Sequence, residues 1–185
     1  STTCAPATGP LATRTTSWPA TPSAPATTWA WMRVAHSSST VGPDPEIMRN
    51  HSIAPRTPRE DALLSQPVDL HQINHVRGVI LAALGETFTM VNQMGAAPGA
   101  KWGDLVTAIY TPTGDLSMIA PHGIVAFAAV CHYPIKFIIK YWMNDPTVGV
   151  KEGDGFIHND ARYGGVHNTD QSMMMPVYYK GELIC

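Results

Sequence analysis

The sequence predicts a mixed α/β (α+β) chain, with helices packed on a mixed sheet behind a disordered N-terminal leader. Three observations predict it. Apolar residues recur at helical spacing from Leu70 to Val91, short apolar runs are punctuated by Gly- and Pro-containing turns from residue 105 onward, and the first forty residues follow neither pattern.

The 185 residues are 44% hydrophobic and 14% charged, enough apolar content to bury a core of one ordinary domain. The net charge of −2 offers no basic stripe to release counterions from phosphates, so nucleic acid is not an expected partner. The most apolar stretch, residues 119–143, carries His122, His132, Pro134, Lys136 and Lys140, which excludes a membrane span. No signal peptide is visible. Cys4, Cys131 and Cys185 are far apart and odd in number, so they form neither a disulfide framework nor a metal knuckle, and the expected location is cytoplasmic.

Residues 1–43 form the leader. Of the first forty, 29 are Ala, Thr, Pro or Ser, and no acidic residue precedes Asp44. Repeated prolines break helices there, and no period-2 pattern makes strands, so the segment is expected to be disordered. It reads either as a Pro/Thr-rich tail or as a GC-rich gene translated out of frame, since Trp18, Trp29 and Trp31 suit a linker poorly. The remainder holds ten basic and fourteen acidic residues, a net −4.

Residues 44–66 are polar and Pro-rich, and are expected to be an irregular connection. From 67 to 185 the pattern is regular. Asp69 is the expected N-cap of a helix ending near Gly95, where Gly and Pro98 stop it. Residues 105–110 and 116–119 form a hairpin around Thr111-Pro112-Thr113-Gly114-Asp115. Residues 123–143 read as helical, with Pro134 making an end or kink, Ile135, Ile138, Ile139 and Trp142 on one face, and Lys136 and Lys140 on another. A strand at 156–159 follows the Gly153-Asp154-Gly155 turn. The last strands are 173–179 and 182 onward, joined at Lys180-Gly181.

Chemistry concentrates in residues 155–170, GFIHNDARYGGVHNTD. His158, Asp160, His167 and Asp170 are the imidazole and carboxylate donors that suit a divalent ion such as Mn, Fe or Zn. His167 and Asp170, three apart, can approach one ion from one side of a turn. Gly164-Gly165 lets the backbone turn so that Asp160 can fold back toward His167, to complete the shell or orient a ligand. His-x-x-Asp alone is a weak signal, and turn and cap residues are the competing reading. His36, His51, His71 and His75 read as solvated surface; the last two are four apart on a helix, but no glutamate of an HExxH motif stands between them. Met173, Met174 and Met175 read as strand core, and Cys131 as a buried, inert helix residue.

These residues resemble the hydantoinase B/oxoprolinase family. The resemblance rests on His158-Asn159-Asp160, on Gly164-Gly165-Val166-His167-Asn168-Thr169-Asp170 and on PVYYKGELI at 176–184, with GDLVTAIYTPTGDL at 103–116 as the upstream hairpin. IKFIIK at 135–140 and the following NDPTVGV resemble the acetone carboxylase α-subunit branch more than the hydantoinase branch. The likeness covers roughly residues 68–185. It implies a fragment of a larger catalytic subunit, truncated at its C-terminus.

In that branch the resemblance implies that His167 and Asp170 are metal ligands, Mn first with Zn or Fe as alternatives, and that a third ligand lies beyond Cys185. Asp160 and His122 match neighbouring family positions and are the implied catalytic residues; His158 departs from the family pattern and is not a first-choice ligand. The implied activity is ATP-dependent carboxylation of an acetone-type ketone, the metal stabilising an enolate for attack on CO2. Hydrolysis of a cyclic amide by a hydantoinase B or 5-oxoprolinase-type subunit is the alternative, and a catalytically inert truncated fragment is the second alternative. The implied partners are a hydantoinase A-like subunit that handles ATP and a small third subunit.

Overall fold

A computed structural model describes residues 44–50 and 52–185 together with the backbone of Met32–Arg33. The expected disorder of the leader, the tryptophans in it, and His36 and His51 lie outside the described residues. Met32–Arg33 themselves form strand β1, so this part of the leader has a defined backbone partner.

The connection expected at 44–66 contains two short helices, α1 (Pro45–Arg49) and α2 (Pro58–Leu64). Their prolines explain the difference. At the first helical position a proline gives up an N–H that has no intrahelical acceptor, and its fixed φ suits the helix. Asp44 caps α1 by accepting the Glu46 N–H at 2.8 Å. Thr57 and Glu60 cap α2 reciprocally, Thr57 Oγ1 accepting the Glu60 N–H and Glu60 Oε2 accepting the Thr57 N–H.

Helix α3 (Leu70–Met94) begins and ends as expected. Asp69 Oδ1 accepts the His71 and Gln72 N–H groups, and the Gly95 N–H closes the last turn on Val91 O at 2.8 Å. A Cβ at Gly95 would sit 2.5 Å from that oxygen, which is why glycine stands there. His71 and His75 are exposed on its surface. A short turn of helix, α4 (Pro98–Lys101), leads to the antiparallel pair β2 (Ala108–Tyr110) and β3 (Leu116–Ile119). Gly114 at φ +85° and the Thr111 N–H donating to Asp115 O at 2.7 Å form the expected turn.

The helical stretch is broken in two: α5 (Val125–Val130) and α6 (His132–Phe137), followed by a π-helical turn at Ile138–Trp142. Pro134 lies in the first turn of α6, where its missing N–H costs no hydrogen bond. Ile138 is buried, and the two lysines reach outward to acidic partners. Lys136 pairs with Asp115 at 2.9 Å, and Lys140 with Asp44 at 2.8 Å and Glu46 at 2.5 Å.

Strand β4 (Gly155–His158) is central to a small mixed sheet, parallel to β1 and antiparallel to β5 (Ser172–Met174). The strand expected at 173–179 is two strands. β5 ends at Met174, and β6 (Tyr178–Tyr179) turns through Lys180-Gly181 to pair with β7 (Glu182–Leu183) in a separate ribbon. Pro176, which has no N–H for a ladder, falls in the break. Met173 and Met175 are exposed, not core as expected; Met174 alone turns inward, against β4's side of the sheet. Cys131 is half-buried, its Sγ 3.5 Å from Ser172 Oγ.

The architecture is therefore mixed α+β as expected, with the described strands spread over three small sheets. Among the described residues the buried core is small: Ile47, Leu84, Leu105, Ala120, Ala128, Ile138, Phe156 and Tyr163. Ile138, Phe156 and Tyr163 belong to the packed block that positions residues 155–170. No described helix is long and apolar enough to cross a membrane.

Candidate functional site

β4 delivers His158 at its C-terminal end, and the chain then turns through a 3-10 helix at Ala161–Tyr163. Asp160 caps that turn, its Oδ1 accepting the Arg162 N–H at 2.9 Å. Tyr163, 3% exposed, anchors the turn in the core, and its Oη accepts the Asp44 N–H at 2.5 Å. Gly164 ends it at φ +98°, pressed so closely against Val130 O that a Cβ would overlap the carbonyl. That close approach, with the left-handed φ, is the physical reason for the first glycine of the pair.

The chain next folds back through His167 and Asp170. Asp170 Oδ2 accepts the His167 backbone N–H at 2.7 Å and lies 3.6 Å from His167 Nδ1. Two ligands about 2.1 Å from a tetrahedral ion stand about 3.4 Å apart, so this spacing fits donors to one metal. His167 is largely exposed and Asp170 partly so, leaving the imidazole accessible from solvent. The backbone bond to Oδ2 holds the carboxylate in orientation before any ligand arrives.

Asp160 does not join them. The expected fold-back toward His167 is replaced by a grip from Arg162, whose Nε lies 3.0 and 3.2 Å from the two carboxylate oxygens and whose Nη2 lies 2.7 Å from Oδ2. That guanidinium holds the Asp160 carboxyl below the usual carboxylate range, burial opposing it only in part. Among the described residues no three His, Cys, Asp or Glu side chains converge on one point. His122 stands elsewhere, exposed on the turn after β3, its ring 6.3 Å from that of Phe88 on α3. The four sequence-designated residues thus divide into a His167–Asp170 pair, Asp160 held by Arg162, and a separate His122.

Asp160 and Arg162 instead border an open cavity of about 510 Å³ between the π-helical turn, β4 and Met174 at the end of β5. Its walls are aromatic. Trp142 stacks on Phe156 (centroids 5.9 Å, planes 23° apart), while Phe137 meets Trp142 and Tyr163 edge-on at 5.2 Å each. His158 lines the same cavity, and its Nε2 is buried with no hydrogen-bond partner among the described residues. Burial lowers its pKa, with Asp160 opposing, so the ring is neutral near pH 7. Sequence reasoning set His158 aside and assigned no role to Arg162. The Asp-x-Arg spacing at the start of a tight turn was the available signal for the second.

The described residues thus form an α+β module in which a small mixed sheet carries an imidazole–carboxylate turn at its edge, beside an aromatic cavity. The chain belongs to the hydantoinase B/oxoprolinase family, whose pattern matches residues 82–185. It is 39% identical over 82 residues to the acetophenone carboxylase delta subunit of Aromatoleum aromaticum, covering 44% of this chain and 11% of that protein. It is 34% identical over 83 residues to the acetone carboxylase alpha subunit of Xanthobacter autotrophicus, covering 44% and 10%. The 5-oxoprolinase 1 of Arabidopsis thaliana is 31% identical over 81 residues, covering 44% and 6%. The matched stretch therefore spans about a tenth of the length of the two carboxylase subunits.

Proposed function

We propose that this chain is part of the catalytic subunit of a metal-dependent, ATP-dependent ketone carboxylase. The observation that carries the proposal is the 3.6 Å approach of His167 Nδ1 to Asp170 Oδ2 on one turn. The higher identity to the acetophenone and acetone carboxylase subunits, 39% and 34% against 31% and 32% for two 5-oxoprolinases, favours a ketone over a cyclic amide. A 5-oxoprolinase-type cyclic-amide hydrolase subunit is the second reading, supported by the oxoprolinase relatives.

His167 and Asp170 would hold the ion, Mn first with Zn or Fe as alternatives, and further donors would come from outside the described residues. When bound, the metal would supply Lewis-acid charge beside a substrate oxygen. The chain's own groups do the rest. Asp170 is fixed by the His167 backbone N–H on Oδ2, the oxygen 3.6 Å from His167 Nδ1, so the carboxylate stands beside the imidazole without a search through rotamers. Asp160, ionised and gripped by Arg162, is a weak base whose charge the guanidinium offsets; it acts by holding the turn at the edge of the cavity in place rather than by taking a proton. ATP would be handled by a hydantoinase A-like partner subunit, with a small third subunit in the assembly.

Metal analysis of the purified 185-residue chain tests the first half. Weak, saturable binding of added Mn, Zn or Fe by the wild type, as a two-ligand site allows, and binding at least tenfold weaker in His167→Ala are expected; equal binding in both would remove His167 from the site. With the ATP-handling partner supplied, ATP turnover stimulated by acetone or acetophenone plus bicarbonate supports the carboxylase. Stimulation by 5-oxoproline alone would replace it with the hydrolase.

A further inference from the structure

We propose that the exposed apolar face at the start of α3 is the interface of a homodimer, in which two copies of this chain pack α3 against α3, antiparallel about Ile73. The interface uses neither His167 nor Asp170 and stands apart from the carboxylase reading.

The face continues a packed one. Leu70, Ile73, Ile80 and Leu84 fall on one stripe of α3, at the spacing that keeps side chains on one side of a helix. Leu84 is buried, whereas Leu70 is 69% exposed and Ile73 50%. Val76, and Leu63 at the end of α2, extend the uncovered area. Leu63, Ile73, Val76 and Ile80 line a solvent-open groove of about 570 Å³, with Met118 of β3 on its far wall. Single exposed apolar side chains are ordinary, but a contiguous apolar groove marks a surface that another molecule covers.

The groove is self-complementary, and this selects the occupant. In antiparallel packing on a two-fold axis through Ile73, positions equally far before and after it meet across the axis. Leu70 of each copy then meets Val76 of the other, three positions to either side. Asp69 of each copy meets Arg77 of the other, four positions to either side, and both residues border the groove. Arg77 is exposed and has no ion-pair partner among the described residues. Asp69 caps α3 through Oδ1, which leaves Oδ2 for the guanidinium. Two such pairs at the rim fix orientation more than they add affinity. A parallel arrangement would set Asp69 against Asp69 and Arg77 against Arg77, and would bring like ends of the two helix dipoles together.

Sedimentation equilibrium of the full 185-residue chain tests the proposal, and a reversible monomer–dimer equilibrium in the micromolar range is expected. Ile73→Asp, which brings two carboxylates together on the axis, should weaken dimerisation at least a hundredfold. Arg77→Glu, which faces Asp69 with a like charge, should weaken it at least fivefold, and the loss should shrink at high salt. His75→Asp, exposed on the opposite side of α3, should leave it within about twofold of the wild type. Circular dichroism of each variant checks that α3 is retained. A monomer throughout the micromolar range would overturn the proposal and leave the face to another occupant, such as the rest of a longer subunit. A dimer undiminished in either Ile73→Asp or Arg77→Glu, or weakened as much by His75→Asp, would also overturn it. If Ile73→Asp does not fold, Arg77→Glu, which alters an exposed side chain, decides.

Discussion

The Arg162 guanidinium and the Asp160 carboxylate, two residues apart, form a fork in which Nη2 stands 2.7 Å from Oδ2 and Nε 3.0 Å from Oδ1. The same Oδ1 accepts the Arg162 backbone N–H, so one carboxylate caps the turn and ties down its side chain. The geometry neutralises Asp160 electrostatically while keeping it ionised.

Arg162→Gln should therefore raise the Asp160 pKa toward the ordinary value of about 3.9, as read from its side-chain carboxyl resonance in an NMR pH titration. Because half of Arg162 is exposed, solvent screens the pair and the accompanying loss of stability should be small. An unmoved resonance would mean that the fork does not persist in solution.

Gly164→Ala tests the turn that joins the two pairs. The left-handed φ of +98° and the overlap with Val130 O leave no room for a methyl group. The strain alone should cost about 1–2 kcal/mol, measured by urea denaturation, with a further loss from displacement against Val130. Wild-type stability in this variant would show that the turn relaxes freely.

Asp115 should set part of the acid limb of the stability curve. Burial opposes its ionisation, but the Lys136 ammonium, the Ala54 N–H and the Thr113 hydroxyl outweigh that and lower its pKa. With the folded value below the unfolded one, its stabilisation is complete above about pH 4 and is lost as pH falls through the folded value. Asp115→Ala should cost about 2–3 kcal/mol at pH 7, since it removes bonds to a charged acceptor and leaves Lys136 half-buried without its partner. The deficit should shrink on acidification.

Lys140 links α1 to the helical block. Its ammonium contacts Asp44 and Glu46, and Tyr141 Oη donates to Asp44 at 2.6 Å. Lys140→Ala should speed amide hydrogen exchange across residues 44–50, including the Asp44 N–H that donates to Tyr163 Oη, without altering exchange in α3. Unchanged exchange at Asp44 would show that Tyr163 holds the segment alone.

Much of the local structure was legible because it depends on near neighbours. Asp69 caps α3, Gly95 stops it, and Gly114 makes the β2–β3 turn through contacts within a few residues. Residues 44–66 were misread because Pro45 and Pro58 were taken as breakers, whereas at a helix start they are initiators, with Asp44 and Thr57 as caps. Met173 was misread because alternation within β5 cannot tell which face will be covered, and Met175 because the strand ends before it.

By itself, the sequence determined the family, the ends of α3, the hairpin and the His167–Asp170 pair, since each is written in residue type at short spacing. Tertiary structure decided what the polar groups near them do. Arg162 captured Asp160, the packing of Phe137, Trp142, Phe156 and Tyr163 opened a cavity, and the end of β4 placed His158 in it without a partner. The physical reason is that a polar side chain's role depends on which partner reaches it first in three dimensions, and spacing along the chain does not encode that competition.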